Sequence, residues 1–249
     1  MAPPPTATEH DTADEVPLSG GRLTAGVVRV GDTVRRPAHD RSAFTEALLD
    51  HLERERFAGA PRFLGRDEQG RDVLSFVHGD VPVHWQRFAD EAVHAAGGLL
   101  RAFHDATRGS ALCAGRPVVC HHDAGPHNMV FRAGLPVALI DFDLAEPGDP
   151  LEDVAYAAWA WCLSDRPART LDDQAAQLGV LVEGYGLDRA GRAGLIDAVL
   201  ERYTRNIGFW RERGAAGLSP ADRVDDIVGW TARMRAFTEL HRVELSSAL

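Results

Sequence analysis

The sequence predicts an α+β protein of two lobes, a small β-rich lobe followed by a larger, mostly helical one. Two β-rich runs, Val27-Val28-Arg29-Val30 and Thr33-Val34-Arg35-Arg36, are joined by Gly31-Asp32, a pair suited to a tight hairpin turn. A further strand pattern, Val73-Leu74-Ser75-Phe76-Val77, is ended by Gly79 and Pro82. Beyond it, apolar residues recur at helical spacing almost to the C-terminus. With 249 residues, the chain is long enough for two lobes around a cleft.

Residues 1–17 are rich in Pro, Thr, Asp and Glu and lack both a positive n-region and an apolar h-region, so a disordered tail is expected rather than a signal peptide. Ser19-Gly20-Gly21 reads as a flexible turn ahead of the hairpin, and Pro37 stops the second strand. Phe44, Ala47, Leu48 and Leu52 give a helix from Ser42 to about Arg56. Pro61 to Leu64 and a turn at Asp67-Glu68-Gln69-Gly70 lead into the Val73 strand. The lobe boundary is placed near His78–Pro82, giving an N-lobe of 18–80 and a C-lobe of 81–249. In the second lobe Phe88, Ala92, Ala95, Leu99 and Phe103 mark a long amphipathic helix. Pro117 to Cys120 is a short strand, and Met129-Val130-Phe131 pairs with Val137 to Ile140 around Gly134. Helices follow at roughly 151–163, 171–185, 189–213 and 220–245.

The net charge of −10 argues against nucleic-acid and anionic-membrane partners. All 27 basic residues are Arg, so no lysine is available for any catalytic task. Cys113, Cys120 and Cys162 form no C-x-x-C pair; reduced thiols and a cytoplasmic location are expected. No apolar run approaches the ~20 residues that span a bilayer. Core packing accounts for most of Trp85, Trp159, Trp161, Trp210 and Trp230, with one or two left over to line an acceptor pocket.

The chemistry concentrates in His121-His122-Asp123-Ala124-Gly125-Pro126-His127-Asn128 and in Ile140-Asp141-Phe142-Asp143. Asp123 and Asn128 have D-x-x-x-x-N spacing. Phosphoryl transfer of the protein-kinase type uses such an Asp to orient or deprotonate the attacking hydroxyl, the Asn to hold a metal ion, and a later Asp to hold Mg²⁺ over the phosphates. Asn128 begins one strand of a hairpin and Asp141 ends the other, so both lie at the same end. An amide oxygen with one or two carboxylates suits Mg²⁺. Taken singly, each residue is equally a turn or cap residue; the ordered set is what points to a site.

These segments, with Gly20-Gly21, V-R-V-G-D-T-V-R-R-P, Gly148-Asp149-Pro150 and Asp153, resemble the aminoglycoside phosphotransferases, small-molecule kinases with a protein-kinase-like fold, and among them the short bacterial phosphotransferase and immunity-type members. The resemblance implies that Asp123 is the catalytic base and His121 the buried residue shaping its loop. It makes Asn128 and Asp141 the Mg²⁺ ligands. Gly20 to Gly26 would cover the phosphates of ATP or GTP, and Ser75, Phe76 and Val77 would line the adenine pocket. Asp143 is a lesser metal candidate, and Asp153 caps or orients the next helix. The strand lysine of the family is absent; Arg35 or Arg36 stands in its place, with Glu46 as the acidic helix partner.

The acceptor implied is a small hydroxylated molecule, with antibiotics and polycations among the candidates. Glu152, Asp172, Asp173, Asp225 and Asp226 are carboxylates suited to a cation, although Asp172 and Asp225 read equally as first-turn helix acids. Two other readings follow from the same residues. His104-Asp105 with the His121 cluster suggests a metal-dependent phosphohydrolase. The missing lysine suggests a kinase-fold binding or immunity protein with weak catalysis.

Overall fold

A computed structural model describes residues 14–18, 26–82, 86–166 and 169–249. The first lobe is a five-stranded antiparallel sheet of β1 (Val16–Pro17), β2 (Val28–Val30), β3 (Thr33–Arg36), β4 (Phe63–Arg66) and β5 (Asp72–Ser75), in the order β1-β2-β3-β5-β4. The predicted hairpin is present: Val30 faces Thr33 in register across Gly31, whose φ of 57° is the left-handed value such a turn demands. Val16 pairs with Arg29, so the sheet begins inside the segment expected to be tail. Helix α1 (Ser42–Arg54) buries Leu48, Leu49 and Leu52.

The chain crosses to the second lobe through Asp80, which exchanges backbone hydrogen bonds with Phe131 at 3.0 and 2.7 Å. The second lobe is built on α2 (Asp90–Thr107) and α4 (Leu171–Tyr185), which cross closely. A Cβ on Gly184 would stand 2.2 Å from the His94 carbonyl, and one on Gly97 would stand 2.5 Å from that of Leu181. Glycine is required at both positions because no side chain fits between the two backbones.

Beside these helices lie β6 (Val118–Cys120), the hairpin β7 (Met129–Arg132) and β8 (Leu135–Leu139), and β9 (Glu146–Gly148), which pairs with β6. Helix α3 (Pro150–Ala157) starts at a capping box: Leu151 N–H donates to Asp149 Oδ1 at 2.9 Å, and Asp149 N–H donates to Glu152 Oε1 at 3.1 Å. It runs on as a π-helical turn over Ala158–Cys162. Trp159 and Trp161, two residues apart on this segment, are both buried, on different neighbours. Helices α5 (Arg189–Ala215), α6 (Ala221–Leu240) and α7 (Arg242–Leu245) complete the lobe; the single helix expected over 220–245 is broken at His241. The three cysteines are buried and free. Among the described residues, no helix is long and apolar enough to cross a membrane.

Candidate active site

The loop after β6 is fixed from behind. The backbone N–H groups of His121 and His122 donate to the two oxygens of Asp153, at 2.6 and 2.7 Å. Asp153 is fully buried and also meets His104 Nε2 at 3.0 Å, while His104 Nδ1 meets the Tyr185 hydroxyl at 2.7 Å. Burial opposes ionisation of Asp153, but the hydrogen bond and charge of His104 and its neighbouring histidines outweigh it and hold the carboxyl well below the usual carboxylate range. Asp153 therefore anchors the loop from its place in α3. His104 is a core residue in the same network, and Asp105 points outward to Arg101 at 2.8 Å, so the two do not act as a paired metal site. His104, Cys120 and Asp153 do cluster, yet all of Asp153's oxygens are committed to loop N–H groups and His104.

His121 ties the loop to the next hairpin. Its Nδ1 accepts from Asp123 N–H at 3.3 Å and its Nε2 donates to the Ile140 carbonyl at 3.1 Å. That pattern needs a neutral ring, and burial pushes its pKa down accordingly. His122 is held at φ 61°, an uncommon conformation for a non-glycine residue, with its carbonyl accepting from Arg202 at 2.7 Å.

Asp123 receives the Tyr156 hydroxyl on Oδ1 and the Asn128 amide on Oδ2 at 2.8 Å, and His127 Nε2 lies 3.4 Å from Oδ1. Burial works against its charge, but His127 and Tyr156 outweigh that, leaving the carboxyl below its ordinary value and ionised at neutral pH. Asn128 and Asp141 sit at the same end of the β7–β8 hairpin, joined by Ile140 N–H to the Asn128 carbonyl at 3.0 Å. Asp141, at φ 64°, is pushed up to about 6 by burial and by Asp143 beside it, against the pull of Arg36.

Arg36 is the N-lobe cation of this cluster. It is buried on β3, bonds Asp143, and reaches to 3.6 Å from Asp141 Oδ1; His39 adds a contact of 3.1 Å to Asp143. Arg35 precedes it on the strand and so points to the opposite face. The sequence left that choice open and named Arg35 as the nucleotide-binding residue; strand alternation selects Arg36, which shares its face with Val34. Glu46 also departs from expectation: it pairs with Arg66 at 2.8 Å, and the acidic partners of Arg36 come from the segment after β8. Gly20 and Gly21 lie outside the described residues.

Two cavities flank the loop. One, of about 310 Å³, lies between the lobes and is lined by Val27, Val34, Leu74 and Ile140, with Ser75, Phe76 and Val77 along one edge. Arg36, Asn128 and Asp141 form its polar end. The other, of about 350 Å³, lies on the C-lobe side against Asp123, Tyr156, Trp159, Arg202, Trp210 and Trp230. His127 lines both. Of the acids expected to serve an acceptor, Glu152 is committed to the α3 cap and Arg205, Asp172 and Asp173 lie in the first turn of α4, and Asp225 is exposed on α6. Asp226 lines a separate cavity. Tyr156 and Arg202 carried no motif signal and become visible only when α3 and α5 are packed against the loop.

Residues 84–195 match the model of the phosphotransferase enzyme family APH. The trifolitoxin immunity protein of Rhizobium leguminosarum bv. trifolii is 33% identical over 261 aligned positions, covering 95% of this chain and 99% of that protein. The chain belongs to the phosphotransferase enzyme family. Its protein-kinase-like fold is shared with solved structures of low identity. A choline/ethanolamine kinase family protein from Mesorhizobium loti superposes with a TM-score of 0.64 at 18% identity, over 96% of this chain and 92% of that one. A spectinomycin phosphotransferase in complex with ADP and spectinomycin gives 0.61 at 11% identity, over 94% and 93%. In this phosphotransferase-family chain, then, the loop from Asp123 to Asn128 lies where the two lobes of a kinase-like fold meet.

Proposed function

We propose that the protein transfers the γ-phosphoryl group of ATP or GTP to a hydroxyl of a small molecule. The observation that carries this reading is that one rigid loop, Asp123 to Asn128, walls both cavities, so a donor in one and an acceptor in the other would meet at its surface. The interlobe cavity suits a nucleotide: aliphatic walls for a base, the Ser75 to Val77 segment along one edge, and a polar end for phosphates.

The residues present fit a magnesium ion. Asp141 Oδ1 is buried without a hydrogen-bond partner, and Asn128 commits its amide nitrogen to Asp123, leaving the oxygen as its remaining donor atom. Such hard oxygen ligands would hold Mg²⁺, which would neutralise phosphate charge. The rest falls to the chain itself. Asp123, ionised and held by Tyr156 and Asn128, orients the acceptor hydroxyl and takes its proton late, as suits a weak base in a loose transition state. Arg36 places positive charge at the phosphate end. Catalysis of this kind is positioning and charge stabilisation.

The test is a thermal-shift titration with Mg-ATP and Mg-GTP, followed by phosphate transfer to a panel of hydroxylated antibiotics, sugars and aromatic alcohols. Stabilisation by Mg-nucleotide and transfer that Asp123→Asn abolishes are expected. Wild-type transfer in that variant would overturn the role of Asp123.

A second reading is favoured by the name of the 33%-identical relative and by the absence of lysine: a kinase-fold immunity protein that binds its target with little catalysis. Absence of any stabilisation by Mg-nucleotide would favour it.

A further inference from the structure

The cavity beside Asp123 has an unusual charge balance for a site that would receive a polycation. Its described lining contains two carboxylates, Asp123 and Glu146, against three guanidinium groups, Arg41, Arg202 and Arg205. Two of the arginines are matched. Arg205 is held by Glu152 and by Glu201, neither of which lines the cavity, and Arg41 lies 3.5 Å from Glu146. Arg202 meets no carboxylate among the described residues. It donates to the His122 carbonyl at 2.7 Å, its guanidinium carbon lies 4.7 Å above the Tyr156 ring, and its buried Nε has no partner.

The remaining wall is aromatic. The Trp159 ring lies 5.4 Å from Trp230, tilted, and 4.8 Å from Tyr203, edge to face, and its own buried indole N–H lacks an acceptor. Trp210 and Phe209 face the same space. Aromatic walls alone also suit an ammonium group, through the ring quadrupole. Here the Tyr156 face is already occupied by Arg202, so an incoming cation meets a like charge, whereas an anion finds a guanidinium that no carboxylate matches among the described residues.

We infer that this cavity takes an anionic, hydroxylated aromatic molecule, whose carboxylate pairs with Arg202, whose ring packs against Trp159 and Trp230, and whose hydroxyl is presented to Asp123. The inference rests on the proposed function for its last part only; the charge preference of the cavity stands apart from it.

The test uses three probes that share a hydroxyphenyl ring and differ in charge: hydroxyphenylpropionate, tyrosol and tyramine, with choline as a small cationic alcohol. Binding is followed by quenching of tryptophan fluorescence, and phosphate transfer from Mg-ATP is followed in parallel. The acid should bind at least about tenfold more tightly than tyramine, as one charge-assisted hydrogen-bonded pair would give. Arg202→Gln should erase that preference, and Arg202→Lys should retain part of it. In both variants the thermal shift with Mg-ATP should persist, which shows that the fold and the interlobe cavity are intact. Equal or tighter binding of tyramine or choline, a preference that survives Arg202→Gln, or no binding by any probe would overturn the inference. Preference for the acid without phosphate transfer would sustain the cavity's charge selection and count against the kinase reading. Transfer to tyramine or choline, with the acid inert, would do the reverse.

Discussion

The two halves of the site are held by opposite means. Around the catalytic loop the anchoring groups are saturated: Asp153 takes three hydrogen bonds, His121 uses both ring nitrogens, and Asp123 is gripped by Tyr156 and Asn128. Where the lobes meet, the cluster of Arg36 from the first lobe with Asp141 and Asp143 from the second is held by charge, and Arg36 Nε and Asp141 Oδ1 are buried without hydrogen-bond partners. A saturated network is rigid before any ligand arrives, whereas buried polar atoms left unmatched are costly alone and become favourable when a ligand supplies what they lack. The loop half thus sets geometry, and the arginine half has capacity in reserve.

Breaking the saturated half should have the largest effects. Asp123→Asn should lower turnover by ~10²–10⁴ with the fold unchanged, as loss of a general base does; single-turnover phosphate transfer checks this, and a loss under ~10-fold would mean that Asp123 merely shapes the loop. Asp153→Ala removes the acceptor for two loop N–H groups and for His104, and should destabilise the protein by about 3–5 kcal/mol. Urea unfolding measures it; a change near zero would show that water replaces the carboxylate without cost.

The unsaturated half should respond through ligand binding more than stability. Arg36→Ala should weaken Mg-ATP binding by about tenfold, the worth of one charge-assisted contact. It also removes the charge that restrains Asp141, whose carboxyl already sits at about 6. Because a metal ligand must be deprotonated, Mg-nucleotide binding should fade as pH drops through that value, and in Arg36→Ala it should fade at higher pH. Calorimetry across pH decides; an unchanged midpoint would separate Arg36 from Asp141.

The smallest effect expected is an acid sensitivity of the loop. Burial keeps His121 and His122 below the ordinary histidine value of 6.5, so below that pH the unfolded chain binds protons that the fold refuses. Stability from this source is greatest above pH 6.5 and declines as pH falls. The raised Asp141 carboxyl contributes with the opposite sign, so the measurement belongs in an Asp141→Asn background. A melting temperature there that rises on acidification would refute the assignment of neutral rings.

Much of the loop half was legible in the sequence because its signals are local. D-x-x-x-x-N fixes a spacing within one turn region, and β7 and β8 are adjacent strands whose pairing follows from the turn at Gly134. The start of α3 was equally local, being written in Gly148-Asp149-Pro150 and a Glu at the third helical position. Strand β9 was not legible. Glu146-Pro147-Gly148 has no strand propensity and is extended because β6 offers it a partner. Arg36 could not be told from Arg35 for a related reason: alternation says that neighbouring residues face opposite ways, but the direction of the cleft is set by the second lobe.

By itself, the sequence determined a β-rich first segment ahead of a mostly helical one, the loop carrying Asp123 and Asn128, and the hairpin that returns Asp141 to it, since each depends on residues close along the chain. Tertiary structure alone decided which arginine faces the acids, that Glu46 turns to Arg66, and that the cavity beside Asp123 is lined by arginine and tryptophan and not by the carboxylates of the later helices. Helical periodicity reports that a face is buried; it does not report which other helix, or which unmatched charge, will stand across from it.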